Sequence, residues 1–206
     1  MKGIGGYAAP REDARVTRRL KEENQRKLAD FRAQLSEAMN RSAGLGLSTR
    51  YAVLSFDGGA SSYEGEILIN GGTRNGKGVM TFRDGDVYFG EWRQDLFEGL
   101  GTYVFDSGER YEGSFVQNRK QGRGSYAYAN GNVYTGAWEA DQKSGQGELL
   151  VANGDRYTGA WKANRFDGFG VYRAFSGDEY NGQFSGGVRN GHGRLCFAGG
   201  GRYEGD

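Results

Sequence analysis

Cysteine, histidine and proline occur once each in this 206-residue chain. The lone cysteine, Cys196, excludes an intrachain disulfide and fits a reducing compartment, with the cytoplasm as the default. The lone histidine, His192, leaves any serine or cysteine nucleophile short of a base and makes a histidine metal site a poor fit. An excess of charge of either sign is missing as well. Against 27 basic residues stand 26 acidic ones, a formal +1, so nothing draws the chain to nucleic acid or to an anionic membrane. No apolar run approaches membrane-spanning length, and the N-terminus carries no signal-peptide core. Aliphatic content is modest while 14% of the chain is aromatic, so burial has to lean on rings.

Glycine, by contrast, is abundant at 38 residues, and most of them stand in register. The phrase Tyr134-Thr135-Gly136-Ala137-Trp138 returns every 23 residues as Tyr88 to Trp92, Tyr111 to Phe115, Tyr157 to Trp161 and Tyr180 to Phe184. Tyr63 to Ile67 opens the series 25 residues before the second copy, and Tyr203-Glu204-Gly205-Asp206 breaks it off mid-phrase. A Gly-x-Gly pair keeps the same step at Gly76/Gly78, Gly99/Gly101, Gly122/Gly124, Gly145/Gly147, Gly168/Gly170 and Gly191/Gly193. A turn glycine follows at 85, 108, 131, 154, 177 and 200. Disorder is the ordinary meaning of so much glycine, and three marks in register over six periods argue against it.

Alternation predicts the unit. Tyr134, Gly136 and Trp138 share one face of a strand, and Gly122, Gly124, Tyr126 and Tyr128 share one face of another. A short polar loop such as Gln117 to Gln121 lies between the two strands, and an Asn130-Gly131 type turn follows. Each repeat is therefore a β-hairpin, and successive hairpins form one antiparallel meander. A glycine between two large rings leaves a slot for an aromatic to lie over the backbone.

These residues resemble the MORN (membrane occupation and recognition nexus) repeats over about Tyr63 to Asp206, with Ile67, Val151 and Ala174 replacing aromatics. The resemblance implies an all-β repeat array: an elongated, curved, single-layer sheet with an aromatic groove. Twelve strands at about 4.8 Å would make it roughly 60 Å long. The groove rings would be Tyr88, Trp92, Tyr111, Phe115, Tyr134, Trp138, Tyr157, Trp161, Tyr180 and Phe184. Self-stacking of such rings is the sheet's own core, yet a continuous aromatic strip is also a surface that binds partners. The expected function is a non-enzymatic scaffold or adaptor receiving a helix or extended segment of a partner protein. The family's recurrence in cytoskeletal and ciliary assemblies implies that setting. The alternative is a peripheral module for anionic phospholipids. That reading predicts a basic stripe, whereas the loops mix Arg119-Lys120 with Glu139, Asp141 and Asp167, so membrane binding is expected to be weak or absent.

Ahead of the array, residues 1–9 read as an extended lead and 10–43 as an amphipathic helix. Pro10 suits a first helical position, with Glu12 and Asp13 in the first turn. Val16, Leu20, Leu28, Phe31 and Leu35 form a narrow apolar seam, with Asn24 filling its gap, and Gly44 and Gly46 stop the helix. The seam is expected to cover one end of the protein's own sheet; a coiled-coil-like contact with another chain is the competing arrangement. Residues 44–62 read as a worn capping strand, and 63–206 as six 23-residue units plus a partial seventh. Tyr203 to Asp206 starts an unpartnered edge, a place where two copies could pair.

Catalytic chemistry finds no foothold. His192 fills the variable slot of Gly191-His192-Gly193, where other repeats carry Lys77, Leu100, Arg123, Gln146 or Phe169. Cys196, beside Phe197 on a strand, is expected half-buried. Gly71 to Gly78 faintly resembles a phosphate-binding loop but lacks the Ser/Thr after Lys77. Asp84, Asp86, Asp106 and Asp155 read as turn residues without calcium-loop spacing. No catalytic residue, cofactor or metal is expected.

Overall fold

The computed structural model describes residues 14–42 and 48–206. The expected lead at 1–9 and the helix start at Pro10, Glu12 and Asp13 lie outside the described residues. Two units divide the described chain, one over Ala14–Lys120 and one over Gln121–Asp206. In both, the strands lie across the sheet in chain order, each antiparallel to its neighbour.

The first unit holds α1 (Ala14–Ser42), β1 (Thr49–Phe56), β2 (Ser61–Leu68), β3 (Arg74–Thr81), β4 (Val87–Arg93), β5 (Leu96–Val104) and β6 (Arg110–Val116). Strand β1 pairs with β2 from Thr49↔Leu68 to Phe56↔Ser61, and residues 49–56 form an edge strand of the sheet. The second unit holds most of β7 (Arg119–Ala127), then β8 (Val133–Glu139), β9 (Gln142–Leu150), β10 (Arg156–Lys162), β11 (Arg165–Arg173), β12 (Glu179–Ser185), β13 (Val188–Cys196) and β14 (Arg202–Gly205).

The hairpin turns are tighter than the five-residue loops expected from sequence. Only two residues turn the chain between β4 and β5, Gln94 and Asp95, at φ 50° and 66°. Ala140-Asp141 and Ala163-Asn164 repeat the pattern in the second unit. Both residues at positive φ define the type I′ geometry that matches the twist of paired strands. The strands then run on to a bulge beside each first glycine of Gly-x-Gly, as between Gly159 and Trp161 opposite β11. At the other end of the hairpin, Asp86 accepts the Asp106 N–H at 2.9 Å, and Asp155 accepts the Phe175 N–H at 2.8 Å. Those carboxylates are turn residues, as expected, and they tie each hairpin to the next. Asp155 stays below the ordinary carboxylate range: burial opposes its charge, but bonds from Tyr172, Phe175 and Asn153 prevail.

Helix α1 lies on its own sheet in the first unit, on the face opposite the repeated tyrosines. Leu20 and Leu35 are buried, while Val16, Leu28 and Phe31 are half-buried. Phe31 meets Phe89 with ring centroids 5.4 Å apart. Asn24 sits where the apolar seam lapses, and it is nearly fully buried because it is bonded on both sides. Its amide donates to the Gly108 carbonyl at 3.1 Å, and its oxygen accepts from Arg110 Nη1 at 2.6 Å. Arg110 also reaches Glu23, Lys27 reaches Glu112, and Arg32 reaches Glu64. The helix thus spans β2 to β6 rather than only the cap end.

Candidate functional site

The tyrosine face is built from one local device. Each repeat tyrosine lies back over the glycines of its own hairpin and donates its hydroxyl to the carbonyl three residues on. Tyr88 reaches Glu91 O at 2.8 Å, Tyr134 reaches Ala137 O at 2.8 Å, and Tyr157 reaches Ala160 O at 2.8 Å. Cross-strand glycines pair beneath the rings, Gly90↔Gly101 in the first unit and Gly136↔Gly147 in the second. A Cβ added at Gly147 would stand 2.5 Å from the Tyr134 hydroxyl, which is why glycine is required there. The tryptophans close the frame by donating Nε1–H to a glycine carbonyl, Trp92 to Gly78 and Trp161 to Gly147, each at 3.2 Å.

The rings then wedge edge to face in a ladder. In the first unit Trp92 stands between Tyr63 and Tyr88, at 5.3 and 5.1 Å, and Phe115 stands between Tyr88 and Tyr111. In the second, Trp161 stands between Tyr134 and Tyr157, and Phe184 between Tyr157 and Tyr180. This ladder changes what the ten expected groove rings are. Tyr88, Trp92, Tyr111, Phe115, Tyr134, Trp138, Tyr157, Trp161, Tyr180 and Phe184 retain 0 to 6% exposure. They are the core of the layer and not an open strip, because each ring covers its neighbour and a further side chain covers both.

That further side chain is what the sequence reading missed. It stands two residues before each Gly-x-Gly: Arg74, Phe97 and Lys120 in the first unit, Lys143, Phe166 and Arg189 in the second. Phe97 stacks flat on Tyr88 at 3.8 Å and 15°, and Phe166 on Tyr157 at 3.7 Å and 15°. Elsewhere a cation takes the place of the ring. Arg74 lies 4.5 Å from the Trp92 centroid, and Arg189 4.6 Å from that of Tyr180. Lys143 stands 5.0, 5.2 and 5.1 Å from the rings of Tyr128, Tyr134 and Trp161. Cations and phenyl rings exchange at this position because both are attracted to an aromatic face. The signal was available: the same register position is always Phe, Lys or Arg.

Burial sets the ionisation of the layer. It pushes the Tyr134 hydroxyl up to about 12, and Tyr63, Tyr88 and Tyr157 upward as well. It pulls the Lys143 ammonium down to about 8. The two shifts act oppositely on stability. Between pH 8 and 10 the unfolded chain holds a proton on Lys143 that the folded chain has given up, so raising pH there favours folding. Above pH 10 the unfolded chain ionises tyrosines that the folded chain keeps neutral, so each further step destabilises. Urea midpoints are expected to hold or rise slightly from pH 7 to 9.5 and to fall steeply by pH 11.5. A flat profile above pH 10 would contradict the burial of the hydroxyls.

Of the other sequence candidates, residues 71–78 meet this face through Arg74 and through Gly78 beneath Tyr63. Residues 71–78 run from a turn into β3, with no helix after them. His192 is exposed beside Glu204 and Asp206, and Cys196 is half-buried. Among the described residues no group of three or more His, Cys, Asp or Glu could hold a metal ion. Among them, too, no helix is long and apolar enough to cross a membrane.

An open antiparallel sheet of repeated hairpins, with an aromatic ladder for its core, defines a β-repeat protein. The particular family follows from the repeats: the MORN repeat model matches residues 63–87, 88–110, 111–133, 134–156, 157–179 and 180–202, and the chain belongs to the MORN repeat family. No curated protein matches the chain. Among solved structures it is similar to the SAS-4 (dCPAP) TCP domain of Drosophila melanogaster, in complex with a proline-rich motif of Ana2 (dSTIL). That match has 13% identity and a TM-score of 0.43 over 76% of this chain and 89% of that one. It also matches a streptogramin B lyase structure at 13% identity and a TM-score of 0.15, over 76% of this chain and 44% of that one.

Proposed function

We propose that this chain is a non-enzymatic adaptor that captures a helix or extended segment of a partner protein on its tyrosine face, in the cytoplasm and within a cytoskeletal or ciliary assembly. The observation that supports it is the row over the aromatic ladder. Phenyl and cationic side chains stand once per hairpin on that face, while α1 takes the opposite face in the first unit. Such a row offers apolar contact and charge-assisted hydrogen bonds together, which is the chemistry of peptide recognition.

The test is affinity capture from ciliated-cell lysate followed by lysine cross-linking and mass spectrometry. Partner cross-links are expected at Lys120 and Lys143 rather than at Lys77 and Lys162, whose strand positions place them on the other face. Cross-links confined to Lys77 and Lys162 would overturn the choice of face. Robust, salt-sensitive sedimentation with phosphoinositide vesicles would replace the adaptor by a membrane module.

A further inference from the structure

The row position at Lys143 holds a charge with no carboxylate in its hydrogen-bonded frame. In the first unit Arg74 and the turn residue Asp95 form a closed pair. The Arg74 N–H donates to Asp95 Oδ1 at 2.9 Å, the Asp95 N–H donates to Arg74 O at 3.0 Å, and Arg74 Nε reaches the same carboxylate at 2.8 Å. In the second unit the frame recurs with Lys143 and Asn164. The Lys143 N–H donates to Asn164 Oδ1 at 2.9 Å, and the Asn164 N–H donates to Lys143 O at 3.1 Å. The frame keeps its hydrogen bonds but loses its carboxylate. Lys143 Nζ is left among the rings of Tyr128, Tyr134 and Trp161, and no described carboxylate lies within ion-pair distance of it. Three aromatic faces attract an ammonium, but they accept none of its N–H groups as a carboxylate oxygen would.

The geometry points to Lys143 as the anchor for a carboxylate of the captured segment: an extended stretch of a partner protein that lays an Asp or Glu on Lys143. This rests on the adaptor reading and names its partner chemistry. Charge complementarity selects the acidic residue, since the amide of Asn164 stands where Asp95 neutralises Arg74.

The experiment is selection of a displayed random dodecapeptide library on the full chain, on Lys143→Gln and on Asn164→Asp. Asn164→Asp copies the Arg74–Asp95 arrangement onto Lys143 without disturbing the ring cage, so it removes the free charge from a chain that still folds; thermal melting verifies this. The parent chain is expected to enrich peptides that carry Asp or Glu. Replacing that acid with its amide in the best synthetic peptide should weaken binding by about tenfold for the parent and by less than about twofold for both variants.

Peptides that bind but show no acidic preference, or lose none in the variants, overturn the inference and leave the adaptor reading standing. Failure to select any peptide overturns both, and so does phosphatidylserine-vesicle binding that Lys143→Gln abolishes. A synthetic peptide of residues 1–13 is titrated alongside. If it binds through Lys143, the occupant is a segment of this chain and the assignment to a partner protein falls.

Discussion

Gly147→Ala is expected to destabilise the second unit by about 3 kcal/mol, the scale of losing a buried ring. Its Cβ would stand 2.5, 2.6 and 2.8 Å from the hydroxyl, Cε2 and Cζ of Tyr134, and no real side-chain contact is that short. The glycine is paired with Gly136 across the strand, and a Cβ on Gly136 would in turn stand 2.5 Å from the Gly147 Cα, so the backbone has no room to retreat. The ring must leave. Tyr134 is fully buried and bonded to the Ala137 carbonyl, so its departure uncovers Trp138 and Trp161 and strands that carbonyl. Urea unfolding and hydrogen exchange of β8 and β9 measure the loss, and local exchange is the sharper probe because repeats contact mainly their neighbours. Two controls make the mechanism falsifiable. Gly199→Ala, with nothing within 4 Å of its added Cβ, should stay within about 0.5 kcal/mol of the parent. In a Tyr134→Ala background, Gly147→Ala should cost little, since the atom it strikes is gone. Additive losses would show that the glycine is required for some other reason.

Leu20→Ala with Leu35→Ala is expected to release the helix from the first unit. Both side chains are nearly fully buried against the sheet, at 6% and 2% exposure, and truncating a buried leucine costs roughly 2–5 kcal/mol. The attachments that remain include the Phe31–Phe89 ring pair, the half-buried Val16 and Leu28, the Asn24 bonds and partly exposed ion pairs, of which the last contribute little in water. Once detached, a helix with so narrow an apolar face is marginal in water. Its circular dichroism signal should fall, and Phe89 and Val79 beneath it should become accessible, while the second unit keeps its melting behaviour. A double variant with full helical signal and unchanged melting would show that these leucines do not hold α1 to the sheet. Leu28 and Phe31, equally prominent in the seam, are half-buried and should cost less when truncated.

The array was legible residue by residue. Tyr-x-Gly-x-Trp and Gly-x-Gly in a 23-residue step state which side chains share a face, where the chain turns, and that glycine must lie beneath a ring. These are short-range constraints: alternation, turn conformation and the steric size of a Cβ act within one hairpin, so one repeat of sequence suffices to write them. Asn24 could be seen as a lapse in the seam, but its partners, Gly108 and Arg110, lie 84 and 86 residues away, and no local rule joins them.

The sequence by itself determined the repeat, the antiparallel hairpins, the glycine bed under each tyrosine and the amphipathic helix ahead of them. Only the tertiary structure decided which face the helix covers, that the ten groove rings leave no open strip, and that Arg74 is neutralised where Lys143 is not. The physical reason is distance along the chain. Burial and ion pairing belong to side chains gathered from different hairpins, where a change of one turn residue from Asp95 to Asn164 alters the charge on a cation 21 positions earlier.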